Sequence, residues 1–263
     1  MDMGLTGRSA IVTGGSKGMG KAIALKLASE GVRICLVARN ENDLEKATSE
    51  LFAITDMEIL AISGDVSDPA LAGKVCDAVA SKWGQTDILI NNAGGPPMGS
   101  FLDHDNEDWM AALQLNLLST VRFTKAVSPA MKNQHWGRIV NITSSLAKEP
   151  SSPMVLSATA RAGVSAFCKS ISHELAEFNV TINTILPGGV QTDRLMSLMS
   201  IRAETDNIPL DELVQQRAAN IPIKRFAKPE EIADVVTFLA SDRGGYITGA
   251  SIPVDGGLTK STF

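Results

Sequence analysis

The chain holds a single tyrosine, Tyr246, and only three cysteines, Cys35, Cys76 and Cys168, among its 263 residues. The cysteines lie far apart without a Cys-x-x-Cys pair, and the three histidines show no ligand spacing, so neither a disulfide framework nor a metal site is expected. No apolar run approaches the roughly 20 residues that a membrane span needs, and the glycine-rich turn in MDMGLTGRSAIVTGG comes too early for a secretory signal. Lys and Arg are outnumbered by Asp and Glu, 24 to 29, which leaves a net charge of −5. Nucleic-acid and anionic-membrane surfaces need clustered cations, so both classes of partner are set aside. Gly and Pro are scattered rather than pooled, and no linker or low-complexity stretch marks a boundary. The expectation is one cytoplasmic domain over residues 1–263 that works on small molecules.

What is present is an alternation of short apolar runs with longer segments of helical period, the pattern of βαβ units and a doubly wound parallel sheet of Rossmann type. Strands are expected at Ser9–Thr13, Arg33–Ala38, Glu58–Ile62, Ile88–Asn91, Arg138–Thr143, Thr181–Leu186 and Ser251–Val254. Helices are expected at Gly18–Glu30, Glu41–Ala53, Pro69–Lys82, Glu107–Lys132, Val155–Phe178 and Pro229–Ala240. Pro69 and Pro229 are read as first-turn prolines, where the missing N–H costs nothing, and Glu230 and Glu231 suit the positive end of a helix dipole. The stretch 188–222 fits no strand and is read as a mobile, partly helical lid over the carboxyl ends of the strands, where open α/β sheets bind ligands.

Between the first strand and the first helix lies Thr13-Gly14-Gly15-Ser16-Lys17-Gly18-Met19-Gly20. Glycines there let the backbone turn tightly and approach a pyrophosphate, whose charge meets the helix N-terminus; the alternative is a plain strand-to-helix turn. TGGSKGMG resembles the TGxxxGxG cofactor signature of the short-chain dehydrogenase/reductase family, and further matches follow in that family's order. Asp65-Val66 resembles its adenine-contacting pair, and Asn91-Asn92-Ala93-Gly94 its NNAG. Asn116 and Ser144 stand where the family places an active-site Asn and a catalytic Ser. Pro187-Gly188, with Val190 and Thr192, resembles the loop that holds the nicotinamide carboxamide, and Gly249 through Val254-Asp255-Gly256-Gly257 resembles the C-terminal strand signature. The pattern is similar to 3-oxoacyl-carrier-protein reductases and to sugar or steroid alcohol dehydrogenases. The resemblance implies hydride transfer between nicotinamide and a carbonyl or alcohol substrate, and a homotetramer built on the long helices.

The cofactor-binding set implied by these motifs is Gly14, Ser16, Lys17, Gly18, Met19, Gly20, Arg39, Asp65, Val66, Asn92, Ala93, Gly94, Arg161, Pro187, Gly188, Val190 and Thr192. Members that prefer NAD carry an acidic residue at the end of the second strand. Here that end reads Leu36-Val37-Ala38-Arg39-Asn40, with no carboxylate to repel a 2′-phosphate and an Arg able to fork onto one. Lys17 adds a second cation, so NADP(H) is expected; the alternative is that both are ordinary surface charges.

The family's catalytic Tyr-x-x-x-Lys is missing. The chain reads Ser157-Ala158-Thr159-Ala160-Arg161, so Ser157 stands for Tyr and Arg161 for Lys, and Tyr246 lies too far along the chain to restore the motif. Residues at i and i+4 share one helix face. Serine has no proton that titrates in the working range, and Arg keeps its charge. Arg161 can hold ribose hydroxyls, stabilise an oxyanion or anchor an anionic substrate, and the small serine opens room for a bulky one. The catalytic set expected is Asn116, Ser144, Ser157 and Arg161. The alternatives are a subunit that binds the cofactor but has lost its chemistry, and a non-redox enzyme using the nucleotide as scaffold. His104 is a candidate replacement acid against the alternative of a solvated loop histidine. Arg194 and Arg202 could meet an acidic substrate but read more simply as surface charge, and Phe167 and Cys168 as core or interface packing.

Overall fold

The computed structural model describes residues 2–262. Its strands are β1 (Ser9–Thr13), β2 (Arg33–Ala38), β3 (Ile59–Ser63), β4 (Ile88–Asn92), β5 (Gly137–Ile142), β6 (Val180–Pro187) and β7 (Ser251–Val254). They form one parallel sheet in the order β3-β2-β1-β4-β5-β6-β7. A parallel sheet needs helical crossovers, and these cover both faces. On one face lie α1 (Gly18–Ser29), α2 (Glu41–Phe52) and α9 (Pro229–Ala240). On the other lie α3 (Leu71–Trp83), α5 (Ser119–Asn133) and α6 (Val155–Ala176).

The period-two geometry of a strand decides which core each residue enters. Ala10, Val12, Ile34 and Leu36 join the first core, whereas Ile11, Cys35 and Val37 join the second. Each such fully buried aliphatic side chain contributes about 1.5–3 kcal/mol relative to exposure. Burial also pushes the Cys35 thiol up to about 12 and Cys76 to about 11, so neither is a thiolate, and the three cysteines are free.

Strand limits match expectation to within a residue. The expected helix over Glu107–Lys132 is corrected: α4 (Asn106–Leu113), N-capped by Asp105, passes through a π turn at Gln114–Leu118 into α5. Pro69 is not in a first helical turn either, because α3 begins at Leu71 after an Asp68 side chain that accepts from the Ala70 N–H. The expectation holds for α9, where Pro229 opens the helix and the Glu231 carboxylate accepts from the Lys228 N–H at 2.8 Å. The stretch after β6 folds into α7 (Asp193–Asp206) and α8 (Leu210–Ala219), which share a small core of Met199, Ile221 and Phe226.

Candidate functional site

The connection from β1 runs to one side of the sheet and β4 lies on the other, so a crevice opens at their carboxyl ends. Its floor is tied across the two strands. The Asn92 N–H donates to Thr13 Oγ1 at 2.9 Å, and Asn92 Nδ2 donates to the carbonyls of Thr13 and Gly14 at 3.3 and 3.2 Å. Gly14 and Gly18 take φ of +57° and +53°, which a side chain would strain. Gly20 is required for a different reason: a Cβ there would stand 2.1 Å from the Gly14 oxygen and 2.6 Å from Asn92 Nδ2. Gly20 therefore seats α1 against the turn. The helix starts from Lys17 with no side-chain cap, so its first-turn N–H groups keep no side-chain partner.

Around this turn runs a cleft of about 410 Å³ lined by Gly14, Ser16, Lys17, Arg39, Asp65, Val66, Asn92, Ala93 and Gly94. Nine residues scattered through the first 94 positions thus share one wall, as their motifs imply. Lys17 Nζ sits 2.8 Å from Asp43 and Arg39 Nη1 3.7 Å from Asp65. The bond and charge of Asp43 hold the Lys17 amine above its ordinary range. The strand end carries no carboxylate, but α2 brings Asp43 into the cleft, which the sequence reading did not foresee.

Gly95 lines this cleft and also a second cavity of about 180 Å³, joining the two. Met19, Ser144, Ser157, Arg161, Pro187, Gly188, Val190 and Thr192 line the second. Ser144 ends β5 and caps a short 3₁₀ turn, Ser145–Ala147, with its Oγ accepting from the Leu146 N–H at 3.2 Å. One turn into α6, Ser157 Oγ accepts from Arg161 Nε at 3.0 Å. Among the hydrogen bonds of the described residues neither hydroxyl is a donor, so both keep a proton to give to a ligand oxygen.

Arg161 is only 9% exposed and is spent differently from a free anchor. Besides Ser157 it reaches the end of β5, where Nη1 donates to the Thr143 oxygen at 2.8 Å and the Ile142 oxygen at 3.4 Å. Burial, then the charge of Arg194, lowers its pKa to about 10. Only Nη2 is left facing the cavity, beside Gly95.

Several expectations need correction. Asn116 does not line either cavity: it is buried in the π turn and its Nδ2 donates to the Gly94 oxygen at 2.8 Å. Gly18 meets the Thr192 methyl rather than the cleft. His104 is not solvated, since it lies buried against Gly99 with Asp108 at 3.5 Å, and it lines neither cavity. Arg194 is no idle surface charge: its Nη2 donates to the Gly95 and Pro96 oxygens at 3.4 and 3.3 Å, and it lines the second cavity. Its signal was present in the sequence, two residues past Thr192 in the first turn of α7. Arg202 pairs with Asp206 on the surface, Cys168 is core, and Phe167 lines a groove between α5 and α6. No group of three metal-ligating side chains occurs among the described residues, and no helix is long and apolar enough to cross a membrane.

The two joined cavities fit a dinucleotide on donor chemistry alone: an uncapped helix start behind a glycine turn at the middle, two cations at one end, and hydroxyl and guanidinium donors at the other. A family model described as Enoyl-(Acyl carrier protein) reductase matches residues 14–259. The chain is 34% identical over 255 residues to the NADPH-dependent reductase BacG of Bacillus subtilis, covering 97% of this chain and 98% of that one. It is 34% identical over 259 residues to the 3-oxoacyl-[acyl-carrier-protein] reductase FabG of Escherichia coli, covering 97% and 99%. The L-sorbose reductase of Gluconobacter frateurii, solved with NADPH and L-sorbose, superposes with a TM-score of 0.95 at 32% identity over 99% of this chain and 100% of that one. With the glycine turn, the Asn92 tie and Ser144 in the family's order on the family's sheet, the chain belongs to the short-chain dehydrogenase/reductase family.

Proposed function

We propose that the protein is an NADP(H)-dependent oxidoreductase that reduces a carbonyl group, with Ser144 and Ser157 as the groups that receive the carbonyl oxygen. The observation that carries this reading is that both hydroxyls open on one cavity, each accepting a bond from behind and each left with a free proton. Bound NADPH would supply the hydride.

The chain's own residues account for the rest. Lys17 and Arg39 would receive the 2′-phosphate, exchanging part of their contact with Asp43 and Asp65. Pro187, Gly188, Val190 and Thr192 wall the reacting end, with α7 above it in the position of the expected lid. As negative charge grows on the substrate oxygen, Ser144 and Ser157 donate to it, and the fixed charge of Arg161 stabilises it through Ser157. A substrate alkoxide is about as basic as a serine alkoxide, so Ser157 can pass its proton across at little cost and regain one from water. Arg161 then holds the transient serine oxyanion. Asn116 is a positioning residue that fixes the Gly94 carbonyl where the two cavities meet.

The alternative of a subunit that binds cofactor without chemistry finds no support, because two free donors and a buried cation remain where the missing Tyr and Lys would stand, and the relatives found are reductases. A homotetramer fits the groove between α5 and α6, where Val121, Phe167 and Ile171 stand beside Lys125 and Lys132, and light scattering checks it. A cytoplasmic location remains part of the same proposal. Following NADPH absorbance with a panel of ketones, oxo acids and acyl thioesters tests the function: carbonyl-dependent oxidation of NADPH is the expected result.

A further inference from the structure

Two guanidinium groups of like charge face one small volume. A Cβ built on Gly95 would enter open space whose nearest atoms are Arg161 Nη2 and Arg194 Nη2, each 3.9 Å away. Each is close enough to press on the other, since the charge of Arg194 helps to lower the Arg161 pKa. Among the described residues no carboxylate lies within ion-pair distance of either. Arg161 is more than nine-tenths buried, and its Nη2 has no partner in the protein. A buried cation beside a second cation is costly unless an anion completes the group. The rest of that cavity is apolar, with Leu146, Met154, Leu195 and Leu198 in its wall.

We propose that the substrate is an oxo acid with an apolar body, whose carboxylate is taken between Arg161 Nη2 and Arg194 Nη2 above Gly95 while its carbonyl oxygen meets Ser144 and Ser157. This rests on the reductase reading. It narrows that reading from carbonyl compounds in general to free acids, and sets it against thioesters, which have no carboxylate to place there. Arg161 thereby has two ends with separate tasks: Nε backs Ser157 at the reacting oxygen, and Nη2 fixes the far end of the same molecule. A pyrophosphate is the other anion that could lie near this pair, so the test separates substrate carboxylate from cofactor phosphate.

The experiment is calorimetric titration of the NADP⁺-loaded protein with pentanoate and with pentanamide, its uncharged counterpart, repeated with Arg194→Gln. NADPH affinity of both proteins is measured alongside by fluorescence. The expected result is that pentanoate binds at least about tenfold more tightly than pentanamide, that Arg194→Gln abolishes this preference, and that NADPH affinity changes by less than about threefold. Equal binding of acid and amide, or no binding of either, overturns the proposal. A large loss of NADPH affinity in Arg194→Gln with no acid preference assigns the pair to the cofactor and also overturns it. Turnover separates this from the parent reading. Uncharged ketones or 3-oxoacyl thioesters reduced in preference to 4-oxopentanoate leave the reductase standing and remove the carboxylate clamp. Acid-selective binding without any NADPH oxidation does the reverse.

Discussion

Arg161 Nε donates to Ser157 Oγ at 3.0 Å from one helical turn further along α6, so the two residues act as one unit. Ser157→Ala should remove the donor while leaving the guanidinium in place. Turnover is expected to fall by roughly 10²–10⁴, the range of general acid catalysis, with NADPH affinity unchanged. Arg161→Ala does more, because it also orphans the Thr143 and Ile142 carbonyls. Denaturant titration of that variant should show a loss of about 1–3 kcal/mol in stability as well as lost turnover.

Restoring the family pattern with Ser157→Tyr plus Arg161→Lys places a phenol in the 180 Å³ cavity. Its acid, with a pKa of about 10, is better suited to proton transfer than an alkanol. Small ketones should be reduced faster than by the unmodified protein, and bulky or acidic substrates more slowly. Comparing kcat/KM for acetone and for an apolar oxo acid in both proteins checks both halves of the statement.

For the cofactor, Arg39→Ala should weaken NADPH about tenfold or more and leave NADH nearly unchanged, since one charge-assisted contact to the 2′-phosphate is lost. Asp43→Asn frees Lys17 from its 2.8 Å partner and should shift NADPH affinity the other way. Fluorescence titration with both nucleotides reads each effect, and equal affinity of the unmodified protein for NADPH and NADH would sink the assignment.

Glu231 is held at a pKa of about 2 by bonds from Arg225 and from the Lys228 N–H at the start of α9. A carboxylate with a depressed folded pKa adds stability above its unfolded value of 4.5, and this is lost as pH falls toward 2. Glu231→Gln should therefore lower Tm at pH 7, with the gap to the unmodified protein closing between about pH 4.5 and 2. The pair is exposed, so the shift should shrink in high salt.

Most of the sheet was legible in the sequence because its strands are buried on both faces and read as unbroken apolar runs, as Ile88–Asn92 and Val180–Pro187 show. The glycine turn was legible for a similar reason: only glycine fits where Gly20 meets the Gly14 oxygen. The break at Gln114–Leu118 was not, since a π turn adds one residue without changing the residue types that favour a helix. Asn116 was found as a motif position, but its work on the Gly94 carbonyl depends on that break. Arg194 was misjudged because exposure and charge look alike in a sequence, whether the side chain meets solvent or two loop carbonyls across the cleft. The pairing of Asp43 with Lys17 joins separate elements and has no local signal.

The central claim is that Ser144, Ser157 and Arg161 still support hydride chemistry in the absence of the family's Tyr and Lys. Single-turnover measurement of NADPH absorbance at 340 nm, with protein in excess of cofactor and a carbonyl panel spanning ketones, oxo acids and thioesters, tests it most directly. The account predicts carbonyl-dependent loss of absorbance that Ser157→Ala slows by roughly 10²–10⁴. NADPH that binds with ordinary affinity and stays unoxidised by every carbonyl on the panel would contradict it.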